Sequence, residues 1–377
     1  MNLIDGFRLM EAALQLRESL AEQGGILAGR HEQARFMEVC GSHTMAIARH
    51  GIRSFLPENI TLLSGPGCPV CVTDPGIIDA AIDLTGQGHR VVTFGDMLRV
   101  PGSRSSLEAA RAYGGSVEVC YSPMTALELA RQEPRREVVF LAIGFETTIA
   151  PVMAMLRRVI DESIANLTLL TAFKRIPPAL SALIDDPEVR IDGLLCPPHV
   201  SAIIGADAYH PYAEIKGIAC VVAGFEPLDI LYGLLGLTRQ RVQGVSQVDN
   251  QYNRVVKAEG NLLAQRMIDH FLVACSASWR GLGAIPESGL ELRDAFKHFD
   301  ACHRFGIDPK PGRVNPQCRC GSVLKGMIVP AQCPLFGDPC HPGRPLGPCM
   351  VSSEGSCAAE FKYASRSGTK HNLGARS

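Results

Sequence analysis

Short apolar runs alternate with amphipathic stretches over the first 225 residues. Residues 35–39, 60–63, 90–94 and 116–119 predict strands, and 75–85 and 105–113 between them have helical character. Strand-like runs resume at 138–143, 167–171, 191–195 and 217–223. Such alternation predicts parallel sheets of the doubly wound kind. The run is longer than one compact sheet usually takes, and Pro134 offers a break near its middle. The pattern therefore divides into two α/β domains, 30–136 and 137–225. Gly-Phe-Glu recurs at 144–146 and 224–226, each time after an apolar strand, an echo too short to establish a repeat.

Past Glu226 the texture changes. Val255, Val256, Leu262, Leu263, Met267, Phe271 and Leu272 fit one long helix over 251–275, and 290–304 fits another. From Pro309 onward Pro, Gly and Cys dominate and no helical period survives. The amphipathic segment 1–29 and residues 226–363 form a third, helical and loop-rich domain in this reading. Residues 364–377, with Arg366, Lys370, Arg376 and little apolar material, are expected to fray.

Charge adds an exclusion. Lys plus Arg number 37 and Asp plus Glu 38, a net charge of -1, which argues against a broad electrostatic nucleic-acid binder. No apolar run approaches a membrane span, and Asp5, Arg8 and Glu11 interrupt what would be a signal peptide's core. The expectation is a cytoplasmic protein that engages neither membrane nor nucleic acid. Cysteine is the unusual feature: there are 14, and Cys318, Cys320, Cys333, Cys340, Cys349 and Cys357 crowd the loop-rich end. Dense cysteine means disulfides in short secreted chains; in a large cytosolic chain it points to metal, cluster or redox chemistry.

In open α/β sheets, ligands bind beyond the carboxyl ends of the strands. Cys40-Gly-Ser-His43-Thr, Gly65-Pro-Gly-Cys68-Pro-Val-Cys71, Phe94-Gly-Asp96, Gly144-Phe-Glu146 and Cys196-Pro-Pro-His199 all follow predicted strands. One edge would thus carry Cys40, Cys68, Cys71, Asp96, Glu146 and His199. Cys68 and Cys71 form a C-x-x-C, suited to a reversible disulfide or to half a zinc site. Cys40 and His43 can serve as a soft ligand or nucleophile beside an imidazole, or as a buried thiol beside a turn histidine. Gly65 and Gly67 resemble a phosphate loop only faintly, because Pro66 removes a backbone donor. Cys120, Cys196, Cys220, Cys275 and Cys302 lie in or beside apolar stretches and read mostly as packed small hydrophobes.

Cys318, Cys333, Cys340 and Cys357 give C-x14-C-x6-C-x16-C. Four thiolates on a loop segment suit a [4Fe–4S] cluster, leaving Cys320 and Cys349 as a second thiol couple. A zinc ion, or another four of the six, fits the spacing as well.

Taken together, the motifs resemble the HypD family of hydrogenase maturation proteins. The match is carried by EVCGSHT (38–44), GPGCPVC (65–71), FGDMLRVPG (94–102), GFETT (144–148), PPHVSAIIG (197–205), AGFEPLDIL (223–231), WRGLGAIPESGL (279–290) and the cysteine-rich segment 318–360. The resemblance implies three domains, two of them α/β, with the cluster in the third. It implies a scaffold for the Fe(CN)2CO unit of nickel–iron hydrogenases, working with a HypC-type small chaperone and a HypE-type cyanide-delivering protein, and indirectly with the hydrogenase large subunit. Carried over, Cys40 is the iron ligand, Cys68 and Cys71 the C-x-x-C pair, and Cys318, Cys333, Cys340 and Cys357 the cluster ligands. Cys320 and Cys349 are then the second thiol pair. Met45 stands where some members carry a second histidine.

The expected route for electrons runs from cluster to Cys320 and Cys349, to Cys68 and Cys71, to iron at Cys40, with His43, His199 and Glu354 in proton or hydrogen-bond work. This describes a redox-active scaffold rather than a conventional turnover enzyme. The competing readings are a free-standing disulfide reductase similar to ferredoxin–thioredoxin reductase, which leaves Cys40 and His43 idle, and a zinc-stabilised interaction protein.

Overall fold

The computed structural model describes residues 3–363; the tail expected at 364–377 lies outside the described residues. Eleven strands are laid into two sheets. They are β1 (Ala34–Glu38), β2 (Ile60–Ser64), β3 (Arg90–Phe94), β4 (Val117–Cys120), β5 (Val138–Gly144), β6 (Leu167–Lys174), β7 (Gly193–Cys196), β8 (Ala219–Val222), β9 (Val248–Asn250), β10 (Leu272–Trp279) and β11 (Gly283–Leu292). The first sheet has the order β2-β1-β7-β8-β9, all parallel. The second has the order β10-β11-β6-β5-β3-β4, parallel except for the β10–β11 hairpin, which joins β6 antiparallel. The α/β character and parallel pairing expected from the pattern are present. The central strands read as unbroken apolar runs because both faces are covered; all of β5 is buried.

The sheets are not built from consecutive halves. The chain lays down β1 and β2, leaves to form β3–β6, and returns for β7–β9. Pro134 falls between β4 and β5 of a single sheet, so it marks no boundary between them. Alternation reveals that strands are parallel but not which strands are neighbours. The first helix, Leu3–Gly29, packs through Leu16, Leu20 and Leu27 on the first sheet and on the helix Pro227–Gln243, rather than joining the cysteine-rich end.

Two expected helices are corrected. Over 251–275 only Leu262–Phe271 is helical, and β10 begins immediately afterwards. Gly260 sits at φ +74, against the backbone of residues 203–205, and Asn261 caps the helix through Leu263 and Ala264 N–H. Over 290–304 the chain finishes β11, makes a 3-10 turn at Asp294–Phe299 and adds the short helix Ala301–Phe305. The loop-rich end holds three short helices, Cys320–Leu324, Pro348–Val351 and Ser356–Tyr363. Among the described residues no helix is long and apolar enough to cross a membrane.

Asp74 ties three distant segments together. It caps the helix Pro75–Gly86, accepting Gly76 N–H at 2.8 Å, and the same oxygen accepts Gly312 N–H at 2.7 Å. Its other oxygen accepts Ser278 Oγ–H at 2.6 Å. Asp74→Ala loses a cap and leaves buried donors unpaired, so it is expected to lower unfolding free energy by about 2–3 kcal/mol, read from urea midpoints at unchanged slope.

Candidate functional site

Cys40 follows β1 and occupies the N-cap position of the helix Gly41–Arg49, with extended backbone. Its N–H donates to Glu38 Oε2 at 3.3 Å, and Glu38 Oε1 accepts Thr44 Oγ1–H at 2.6 Å. Residues i and i+2 share one face of a strand, so Glu38 lies under the Cys40 loop. The Gly-Pro-Gly turn packs on that loop. Gly41 N–H donates to Gly67 O at 3.0 Å, and a Cβ on Gly67 would stand 2.3 Å from Cys40 N. The glycines therefore serve backbone approach to Cys40 rather than a phosphate cradle. Burial pushes the Cys40 thiol up to about 12, opposed by the His43 and Ser42 N–H groups at the helix start and reinforced by Glu354 and Glu38. A metal at this sulfur must displace a proton.

His43 is fully buried, and its Nε2–H donates to Gly224 O at 2.9 Å. Its Nδ1 has no partner among the described residues. Desolvation lowers its pKa to about 4, so it is neutral at pH 7. Phe225 packs on two imidazoles, with ring centroids 5.2 Å from His43 and 4.3 Å from exposed His199. Glu354 reaches the site from the far end of the chain, where its Oε1 accepts Ser42 Oγ–H at 2.8 Å. Ser352 Oγ donates to Asp96 Oδ2 at 2.9 Å and accepts Glu354 N–H at 3.2 Å. Cys40, His43, His199 and Glu354 are thus gathered, and Asp96 holds the returning loop.

The thiols form a file. Cys68 caps the short helix Pro69–Val72, its Sγ accepting Cys71 N–H at 3.3 Å. Cys71 lies beside Cys349, Cys349 beside Cys320, and Cys320 beside Cys318, in one packed cluster. Burial raises Cys71 well above the usual thiol range. Beyond Cys318 lies a small cavity lined by Cys318, Cys320, Cys333, Cys340, Cys349 and Cys357, with Leu335, Phe336 and Met350 as apolar wall. Leu346 N–H donates to Cys340 Sγ at 3.3 Å. Sulfur donors around an apolar cavity, with a backbone N–H on sulfur, fit a thiolate-held iron–sulfur cluster. Among the described residues no three His, Cys, Asp or Glu side chains form a ready single-ion site.

The β10–β11 hairpin tip clamps this file. Arg280 N–H donates to Val72 O at 2.9 Å, beside Cys71. Gly281, at φ +80, lies so close to Gly321 that a Cβ would meet its Cα at 2.6 Å. Only glycine allows both the turn and the contact.

Other residues fall elsewhere. Cys120, Cys196 and Cys220 are buried in the sheets, while Cys275 and Cys302 are partly exposed. Glu146 starts the helix Glu146–Asp161 and its Oε1 accepts Ile176 N–H at 3.0 Å, while Oε2 has no partner among the described residues. Burial lifts its carboxyl from 4.5 to about 7. The folded protein therefore keeps a proton that the unfolded chain releases above pH 4.5, and the stability this gives is lost as pH rises to about 7. Glu146→Gln is expected to improve on wild type by about 1–3 kcal/mol more at pH 8 than at pH 4.5, compared by urea unfolding. Glu38 and Ser352 carried no spacing signal of their own, though the two-residue step from Glu38 to Cys40 could have marked the first; Gly224 and Phe225 stood in the Gly-Phe-Glu echo, which assigned them no role.

A family model described as "Hydrogenase formation hypA family" (HypD) matches residues 15–364. The hydrogenase maturation factor HypD of Azotobacter vinelandii is 46% identical over 371 residues, covering 96% of this chain and 97% of that protein. HypD of Escherichia coli K12 is 44% identical over 366 residues (96% and 98%), and that of Cupriavidus necator 41% over 372 residues (96% and 97%). With the motif residues folded onto one enclosure and one thiol file, and with relatives matching end to end, the chain belongs to the HypD family of hydrogenase maturation factors.

Proposed function

We propose that the protein holds iron at Cys40 while the Fe(CN)2CO unit of a nickel–iron hydrogenase is assembled. The iron is cargo, shared with a HypC-type small chaperone, and its cyanide comes from a HypE-type partner. The observation that carries this reading is the thiol file from Cys68 through Cys71, Cys349 and Cys320 to Cys318, which begins one residue from the turn seated on Cys40. A thiolate at Cys40 is a soft ligand suited to iron carrying CO and cyanide. Neutral His43, fixed through Gly224, and Glu354, fixed through Ser42, orient hydrogen bonds around it. His199 packs on Phe225 and is exposed, where it can take or give a proton.

Cys318, Cys333, Cys340 and Cys357 would hold a [4Fe–4S] cluster, which supplies single electrons when bound. Adjacent thiol pairs pass a disulfide along by exchange, so Cys320 with Cys349 and Cys68 with Cys71 are the exchanging couples. A free-standing disulfide reductase would use the file but leaves the enclosure at Cys40, His43 and Glu354 without a task. The test is thiol labelling of oxidised and reduced protein followed by peptide mass analysis. Cys68 and Cys71 should protect each other as a disulfide after oxidation and label fully after reduction. Labels refused in every state would favour a structural zinc site there.

A further inference from the structure

A second cavity, of about 270 Å³, opens beside the thiol file, with Ser103, Arg280, Arg313, Asn315, Cys318 and Cys320 on its walls. The size is near the lower end for small-molecule sites. Its buried cation has no ion-pair partner among the described residues. Arg280 is only 7% exposed, its Nη2–H donates to Pro101 O at 2.6 Å, and its Nε has no partner among the described residues. The field of Asp74 reaches it, but that carboxylate is engaged by Gly76, Gly312 and Ser278. Arg313 is exposed at the rim and its described hydrogen bond is made by its backbone N–H, to Ser103 Oγ at 2.9 Å. A buried guanidinium is costly to leave unpaired and is shaped to take a carboxylate with two parallel hydrogen bonds. Cys318 and Cys320 share the lining with that charge, close enough for Cys320 to act on Arg280, and Val314 and Leu346 add apolar wall. The cavity thus brings a buried cation, two thiols and apolar wall together.

We propose that this cavity binds a small organic acid bearing a thiol, its carboxylate on Arg280 and its sulfur toward Cys320. This resident reductant would recharge the Cys320–Cys349 pair from solution. The inference rests on the reading of Cys320 and Cys349 as a redox couple. In the reaction the incoming thiolate attacks Cys320 Sγ, the Cys320–Cys349 bond breaks, and Cys349 leaves and takes a proton. A second molecule of the thiol attacks the bound sulfur of the mixed disulfide and frees Cys320. Two small thiols become one disulfide, and two electrons and two protons remain on the protein pair.

The test uses the full chain, oxidised with diamide under anaerobic conditions, with the Cys320–Cys349 disulfide verified by peptide mapping. Its reduction is then timed with 3-mercaptopropionate and with uncharged 3-mercaptopropanol, each rate expressed per thiolate. The acid should saturate and be about tenfold faster at low concentration. Propionate should compete with the acid on unmodified protein, a readout that needs no variant. Arg280→Gln should abolish saturation, and Arg313→Gln should weaken it. Rates that are linear, equal for both thiols and indifferent to propionate would overturn the inference alone. Absence of a Cys320–Cys349 disulfide after oxidation would overturn the couple itself and the inference with it.

Discussion

Cys40→Ala is expected to yield a folded protein whose complex with the small chaperone lacks the infrared bands of iron-bound cyanide and carbon monoxide. The bond to Glu38 is made by the Cys40 backbone N–H, which alanine keeps. What disappears is one sulfur at a largely buried position, so the stability cost should stay within roughly 0.5–3 kcal/mol. The cysteines of the C-terminal cavity belong to other elements and should be unaffected. His43→Ala should be milder, weakening the bands through loss of the bond to Gly224. Bands at wild-type intensity in Cys40→Ala would remove Cys40 as the iron ligand and make the C-x-x-C the better candidate.

The second large effect concerns the thiol-lined cavity. Alanine at Cys318, Cys333, Cys340 or Cys357 should abolish the four-iron content and the brown colour of anaerobically purified protein, and should loosen the loop-rich end. That end has a small core of its own, Leu335, Cys340 and Met350, packed against Cys318, Cys333 and Cys357. Cys320→Ala and Cys349→Ala should keep the colour and the iron count but fail in maturation, because they interrupt the file between Cys71 and Cys318. Iron lost from the second group and retained by the first would reverse the assignment. A colourless, zinc-loaded wild type would remove the redox reading.

Strands buried on both faces, such as β5, were legible because a short unbroken apolar run bounded by polar residues suits a covered strand. Neighbour order was not legible: β1 pairs with β7 across most of the second sheet's sequence, and nothing local to Phe36 or Leu194 specifies that partner. The misread helix over 251–275 shows a different failure. Its apolar spacing outweighed a Gly260-Asn261 stop-and-cap signal that was present in the sequence. At the site, cysteine spacing marked the thiols, and the resemblance singled out Cys40, Cys68 and Cys71. A hairpin arginine such as Arg280 did not stand out because it acts through tertiary contact alone, while Glu38 bonds Cys40 locally, two residues away, a step too common to be read as a signal.

Glu354 reaches back from the cysteine-rich end to Ser42, just after the first strand, and Ser352 reaches back to Asp96, just after the third. A ribosome therefore releases Cys40 long before the residues that enclose it, and the sulfurs of the C-terminal cavity also emerge late. On the proposed function, a nascent or prematurely terminated chain owns the iron ligand but has neither the Glu354–Ser42 bond nor the complete thiol file. Capture of iron and cyanide then waits until the cysteine-rich segment has folded back onto the Cys40 segment.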